Sequence, residues 1–347
     1  MELLSVNTRE LKTMLSICME SNLVPMIHGS PGIGKSAVTH GVSDDYQLQL
    51  IDHRLSTAAP EDQTGLPFRD GDRARFMPFA DLFPIAGDKI PTGKQGWLLF
   101  LDEINSAPKS VMASAYKLIL DRMTGQHKLH ENVAIIAAGN LKTDRAITND
   151  IGTALQSRMV HLELRVDHKI WMEDVALAQN YDDRIIGFLS MFPDKLMDFR
   201  PDHNDRTFCC PRTWEFMNRM MHHMDGSPRA VTSANAALYA GTITSGVATE
   251  FLTYCKHAAD LVSLEDVLKA PAECRVPYEA AVKYATTTHL LSSVKGDTLA
   301  PVLEYITRYD ASFKIMFARQ LAIRHPTLAG HPAFAQFLSK MTHLLNA

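Results

Sequence analysis

The stretch GSPGIGKS at residues 29–36 constrains the chain more than any other. It fits G-x-x-x-x-G-K-[ST], and it stands between an apolar run, LVPMIHG at 23–29, and a segment of helical spacing, the setting that such a loop needs. Glycines at 29, 32 and 34 let the backbone curl until its N–H groups face one point. A helix that begins near Lys35 adds the positive end of its dipole there, and a phosphate group fits the resulting nest. Lys35 would contact the β- and γ-phosphates of a nucleotide and Ser36 a Mg²⁺ ion, with Gly29, Ser30, Pro31, Gly32, Ile33 and Gly34 forming the cradle. A chance glycine-rich turn is the competing reading, and the strand-to-helix setting argues against it.

Four more apolar runs follow: LQLIDHRL at 48–55, GWLLFLDE at 96–103, NVAIIAAGN at 132–140 and RMVHLEL at 158–164. Their alternation with helical patterns predicts βα units and a largely parallel sheet, an α/β P-loop core of five strands spanning residues 1–165. The runs at 96–103 and 132–140 are apolar at consecutive positions, as central strands covered on both faces should be. Residues 64–95 are too long and too rich in Gly and Pro for a simple connection. Within them FRDGDRARF predicts a hairpin insert near 66–80, with Asp70-Gly71 as its turn. NSAPKSVMASAYKLILDRM at 105–123 predicts a helix with Pro108 in its first turn. Beyond residue 166 the strand signal fades. Helical spacing marks a second domain at 166–228 and a helical C-terminal extension at 229–347, broken by Pro271, Pro277 and Pro326.

Three polar residues close apolar strands. Asp102 of WLLFLDEIN would reach the same sheet edge as the phosphate loop and hold Mg²⁺, and Glu103 beside it would orient water and act as general base. Structural acids at a strand end are the plainer alternative. Asn140 ends AIIAAGN, where an amide can hold the attacking water or touch the γ-phosphate without competing for its proton; a turn-forming role is the alternative.

Charge and cysteine content narrow the classes further. Lys+Arg 35 against Asp+Glu 39 gives a formal charge of −4, so no global basic field advertises nucleic acid, although a local patch stays open. MELLSVNTRE lacks the pattern of a signal peptide and no run is long and apolar enough for a bilayer, so the expectation is a cytoplasmic protein without membrane contact. Five cysteines with no CxxC pair are expected to be free thiols. In RTFCCPRTWEF, at 206–216, a bridge between the neighbours Cys209 and Cys210 would be strained, and only His203, His222 and His223 lie near as further metal ligands. Both cysteines therefore read as small buried side chains ahead of a helix. Pro211 opens that helix, which projects Arg212 and carries Trp214, Phe216 and Met217 as core residues. His28 and the methionines at 217, 220, 221 and 224 read as packing.

The ordered set GSPGIGKS, LLFLDEIN, AAGN, ALQSR and PRTW resembles the AAA+ ATPases, and within them the MoxR-type branch that includes the CbbQ and NorQ activators. DQTGLPF and the segment after LLFLDEIN resemble the insert and connecting regions of that branch, and the likeness covers about residues 20 to 220. It implies a helical lid at 166–228, Mg-ATP hydrolysis, and a homo-oligomeric ring, a hexamer, that remodels or activates a protein partner. The branch suggests a partner with a von Willebrand factor A domain. It also implies that Arg158 of ALQSR is an arginine finger for the next subunit, with Arg145 and Arg165 as rivals, and that Arg212 is a lid arginine contacting its own subunit's nucleotide. The hairpin near 66–80 would then grip the partner in the ring's centre.

Other functions compete. A P-loop small-molecule kinase would need an acceptor site and would leave Asp102, Glu103 and Asn140 unexplained. A DNA-directed AAA+ ATPase would need a basic stripe, whereas FRDGDRAR is mixed in sign. A module that holds ATP as a switch without turnover is the last alternative.

Overall fold

Apolar runs bounded by turns become strands here, and the most apolar of them lie inside a parallel sheet. The computed structural model describes residues 4–144, 149–222 and 229–341. Residues 1–167 with 200–203 form one unit and the rest of the chain a second. The strands of the first unit are, in chain order, β1 (Ser5–Val6), β2 (Val24–His28), β3 (Leu48–Arg54), β4 (Leu66–Asp70), β5 (Arg73–Met77), β6 (Gly96–Asp102), β7 (Met123–Thr124), β8 (His127–Lys128), β9 (Val133–Gly139) and β10 (Met159–Leu164). Six of them form a sheet in the order β1-β10-β2-β9-β6-β3, and every pairing in it is parallel.

Five of those six are the apolar runs of the sequence. The sixth, β1, is two residues paired to Glu163 and Leu164 at the sheet's edge, too short to show any periodicity. All seven residues of β6 are buried, and β9 is buried at all but Ala134, so neither strand has a solvent face. Each fully buried Leu or Phe on such a strand stabilises the fold by about 1.5–3 kcal/mol.

Helices α1 (Thr8–Glu20), α2 (Lys35–Asp45), α3 (Pro60–Thr64), α4 (Lys109–Asp121) and α5 (Gly152–Gln156) complete the unit. α1 opens with a capping box, in which Asn7 Oδ1 accepts from the Glu10 N–H and Glu10 Oε2 accepts from the Asn7 N–H. α4 buries Val111, Met112, Ala115, Leu118 and Ile119, the stripe predicted by its spacing, in a core with Met26, Leu99, Leu101 and Ile135. Pro108 precedes its first turn rather than lying in it. The predicted hairpin is β4–β5. Asp70 pairs with Arg73, so the turn is Gly71-Asp72, one residue later than Asp70-Gly71, and both strands are exposed throughout.

The second unit is helical: α6 (His168–Trp171), α7 (Asp183–Met191), α8 (Pro211–Met221), α9 (Ala236–Ile243), α10 (Ser245–Ala258), α11 (Leu264–Lys269), α12 (Ala280–Ser293), α13 (Leu299–Ile306), α14 (Ala311–Arg324), α15 (Pro326–Ala329) and α16 (Pro332–Ser339). Phe188 stands at the centre of an aromatic group with Trp214, Phe251 and Tyr254. α12 buries three consecutive threonines, and each is satisfied: Thr286 Oγ1 accepts from the Val262 N–H, while Thr287 and Thr288 donate to carbonyls one turn back. Trp214 and Met217 are core as expected. Phe216 is not: it is exposed, with the Arg219 guanidinium over its ring.

Candidate functional site

Parallel strands deliver their C-terminal residues to one edge, and the register brings three chemically distinct segments to it. His28 lies level with Gly139 and Leu101 with Ala137, so the loop at 29–36, Asp102-Glu103 and Asn140 all leave the sheet on the same side. The loop curls as its glycines require, with φ of 76° at Gly32 and 102° at Gly34, values that a side chain would resist. Gly34 is the N-cap of α2 and offers no side chain to its first-turn N–H groups, which leaves them turned toward the loop.

Lys35 ties the segments together. Its Nζ donates to the carbonyls of Gly29 (2.6 Å) and Ser30 (3.0 Å) and to Oδ1 of Asn140 (3.1 Å). Lys35 is 9% exposed, so its charge is held at the loop among protein oxygens and away from bulk water.

Asp102 is buried, and burial raises its carboxyl above the usual range. Oδ1 accepts from the Glu103 N–H at 2.9 Å, and Oδ2 faces Arg54 Nη2 at 3.8 Å, a long contact from an exposed side chain. A buried carboxylate so lightly paired, at the loop's edge with the hydroxyl of Ser36 as a second hard oxygen donor, fits a Mg²⁺ ion. Glu103 takes a left-handed backbone, φ 55° and ψ 35°, uncommon for a residue with a side chain. Ser56 Oγ donates to its Oε2. The strained turn and the serine together aim the carboxylate.

Two residues that the sequence reading did not single out shape this edge. Asn105 is 4% exposed; its Nδ2 donates to the Asn140 carbonyl (2.7 Å) and its Oδ1 accepts from the Asn140 N–H (3.1 Å). It clamps the backbone of Asn140 from both sides, and its approach explains Gly139, where a Cβ would collide with Asn105 Oδ1. Asn105 was visible inside LLFLDEIN, but nothing in one sequence marks an amide as a clamp. Burial likewise raises the carboxyl of Asp144, which faces the Ser30 hydroxyl and the Lys35 charge.

The arginines come from other segments of the chain. Arg158 precedes β10, whose first residue pairs with Val24 at the start of β2, so it lies on the opposite edge of the sheet from its own phosphate loop. With five residues in β2, the edges are about 16 Å apart. Its exposed side chain bends back so that Nη1 donates to the Ala154 carbonyl at 3.1 Å. Arg165 is paired with Glu163 at 2.9 Å, and Arg145 lies outside the described residues. Arg212 belongs to the second unit, exposed in the first turn of α8. Cys209 and Cys210 are buried free thiols, and Cys209 Sγ donates to the Ile243 carbonyl. His222 bonds the Asn218 carbonyl, and His223 lies outside the described residues.

A parallel sheet with a glycine loop leading from β2 into α2, and a buried aspartate closing a neighbouring strand, is the P-loop α/β fold of nucleotide-binding proteins. No protein-family model and no curated protein matches the sequence. Among solved structures the chain is similar to NtrX from Brucella abortus, at 14% identity over 99% of this chain and 69% of that one, with a TM-score of 0.36. It is also similar to the Thermotoga maritima RuvB Holliday junction branch migration motor, at 15% identity over 96% of this chain and 88% of that one, with a TM-score of 0.35. Strand order and loop geometry define the fold. No helix among the described residues is long and apolar enough to cross a membrane.

Proposed function

We infer that the chain binds and hydrolyses Mg-ATP as a AAA+ ATPase of the MoxR type, in a homo-oligomeric ring, a hexamer, that couples turnover to rearranging a protein partner. The observation that carries the reading is the Lys35 ammonium, held by the loop carbonyls and by Asn140 at the edge where Asp102 and Glu103 also end. ATP supplies the phosphoryl group and Mg²⁺ the divalent charge that offsets its oxygens. The loop N–H groups and Lys35 hold the phosphates, Ser36 and Asp102 hold the cation, Glu103 orients water and takes its proton, and Asn140 fixes the far side of the site. Lys35 must exchange carbonyl partners for phosphate oxygens on binding, and this exchange reports occupancy to Asn140.

Arg158 lies too far from its own loop to serve it, which favours action on the next subunit and therefore a ring. Arg212 is assigned to its own subunit's nucleotide, as a lid residue. The β4–β5 hairpin exposes Leu66, Phe68, Phe76 and Met77 beside the Arg75–Asp70 pair, a mixed apolar and charged surface that suits a protein partner, such as a von Willebrand factor A domain, better than a phosphate backbone. Glu103→Gln tests the reading. It should bind ATP with unchanged affinity and lose turnover by about 10²–10⁴-fold, and unchanged turnover would remove Glu103 from the mechanism.

A further inference from the structure

Two histidines link the loop edge of the sheet to the turn that carries Arg158. His28, the last residue of β2 before the loop, places Nε2 2.8 Å from Nδ1 of His161 on β10, with the rings 5.1 Å apart and inclined by 24°. His161 places its own Nε2 2.9 Å from the carbonyl oxygen of Gln156, the last residue of α5. A carbonyl can only accept, so His161 Nε2 carries the proton. When His161 carries a single N–H, its Nδ1 accepts and His28 Nε2 donates.

In that state the hydrogen bonds run from His28 to His161 to Gln156. The strand register agrees, since Met26 lies level with His161 and His28 with Glu163, which puts both rings on one sheet face. Burial, His161 and Lys35 push His28 down to about 4 against the opposing pull of Glu163, so His28 stays neutral near pH 7. Arg158 follows Gln156 by two residues. Its N–H bonds the Leu155 carbonyl at 3.0 Å and its Nη1 the Ala154 carbonyl, so the guanidinium and the histidine contact share the end of one short helix.

Resting on the reading that Arg158 serves the neighbouring subunit's nucleotide, we propose that His28 and His161 are positioning residues, a hydrogen-bonded strut that fixes the α5–β10 turn, and with it Arg158, against the phosphate-loop strand. The strut runs from the residue next to Gly29 to the arginine offered next door. A change in the loop of one subunit therefore moves the group that completes the site of another.

The test uses the full-length assembly. His161→Phe keeps an aromatic ring but removes both hydrogen bonds, while His161→Gln keeps a donor and an acceptor. Phosphate release is followed for the wild type, Lys35→Ala and both His161 variants, and for His161→Phe combined with Arg158→Ala, with melting curves for each. The strut predicts that His161→Phe lowers kcat by about 100-fold, the usual cost of a 1 Å misplacement, with KM for Mg-ATP unchanged and with activity recovered in His161→Gln. It also predicts no further loss when His161→Phe is added to Arg158→Ala. Mixing His161→Phe subunits with Glu103→Gln subunits should restore turnover, because the first supply intact phosphate loops and the second intact arginines.

Full kcat in both His161 variants beside an inactive Lys35→Ala would overturn the strut alone. So would a loss that appears in KM, or one that is the same with and without Arg158. A wild type indistinguishable from Lys35→Ala would overturn the hydrolase reading and the strut together. If His161→Phe does not melt cooperatively, His28→Phe, which removes only the first bond, carries the same comparisons.

Discussion

Replacing Asn105 by Ala removes both bonds to the backbone of Asn140, at 2.7 and 3.1 Å, and leaves its N–H and C=O without those partners. Each orphaned group costs about 1–3 kcal/mol when water cannot replace the partner. Asn140 is half-buried, so water reaches part of the gap, and the expected loss is about 2–4 kcal/mol. In a unit of this size that lowers the melting midpoint by about 5–12 °C. The functional loss has a separate origin. Asn140 Oδ1 lies 3.1 Å from Lys35 Nζ only because its backbone is clamped, and a displacement near 1 Å costs about 100-fold in turnover. Asn105→Asp separates the two bonds: it keeps an acceptor for the Asn140 N–H and turns an oxygen against the Asn140 carbonyl. Gly139→Ala should imitate both variants by pushing Asn105 aside. Thermal melts and phosphate-release assays on the three proteins decide the matter. An Asn105→Ala protein that melts and turns over like the wild type would refute the clamp.

Asp102→Asn should abolish Mg²⁺-dependent turnover yet raise the melting temperature of the nucleotide-free protein at pH 7. Burial raises the folded carboxyl above its unfolded value, so stability falls as pH rises through the folded range, and the gain from Asn should fade in acid; a lower melting temperature at pH 7 would contradict this. Arg158→Ala should lower kcat by about 10³-fold or more with ATP affinity intact, since its own loop lies across the sheet, whereas weakened ATP binding would place it in the same site. Cys209, pushed up to about 12 by burial, should resist iodoacetamide at pH 8 in the folded chain and react only on denaturation, as mass spectrometry of the alkylated protein would show.

Strands with no solvent face and a loop of fixed spacing were legible in the sequence because each is a local pattern. The apolar run at 96–103 needed no partner to declare itself a buried strand, and its last residues carried Asp102 and Glu103 to the edge where the loop also lies. What one sequence does not show depends on contacts between segments far apart in the chain. Asn105 meets Asn140 across 35 residues, Ser56 meets Glu103 across 47, and His28 meets His161 across 133. A histidine before a phosphate loop looks like packing until the neighbouring strand supplies its partner. Phe216 failed for a related reason: the spacing of α8 allows it on either flank of the apolar stripe, and only the packed helix shows it outside, under Arg219. The turn of the hairpin shifted by one residue because Asp70 still pairs with Arg73, which strand propensity alone does not decide.

On the proposed function, residues 29–36 hold the phosphates of ATP through Lys35. Calorimetric titration of Mg-ATP into the wild type and Lys35→Ala is the test. Saturable binding to the wild type and a loss of about 10–150-fold in affinity in Lys35→Ala are expected, the worth of the charge-assisted hydrogen bonds removed. Equal affinity in the two proteins would contradict it.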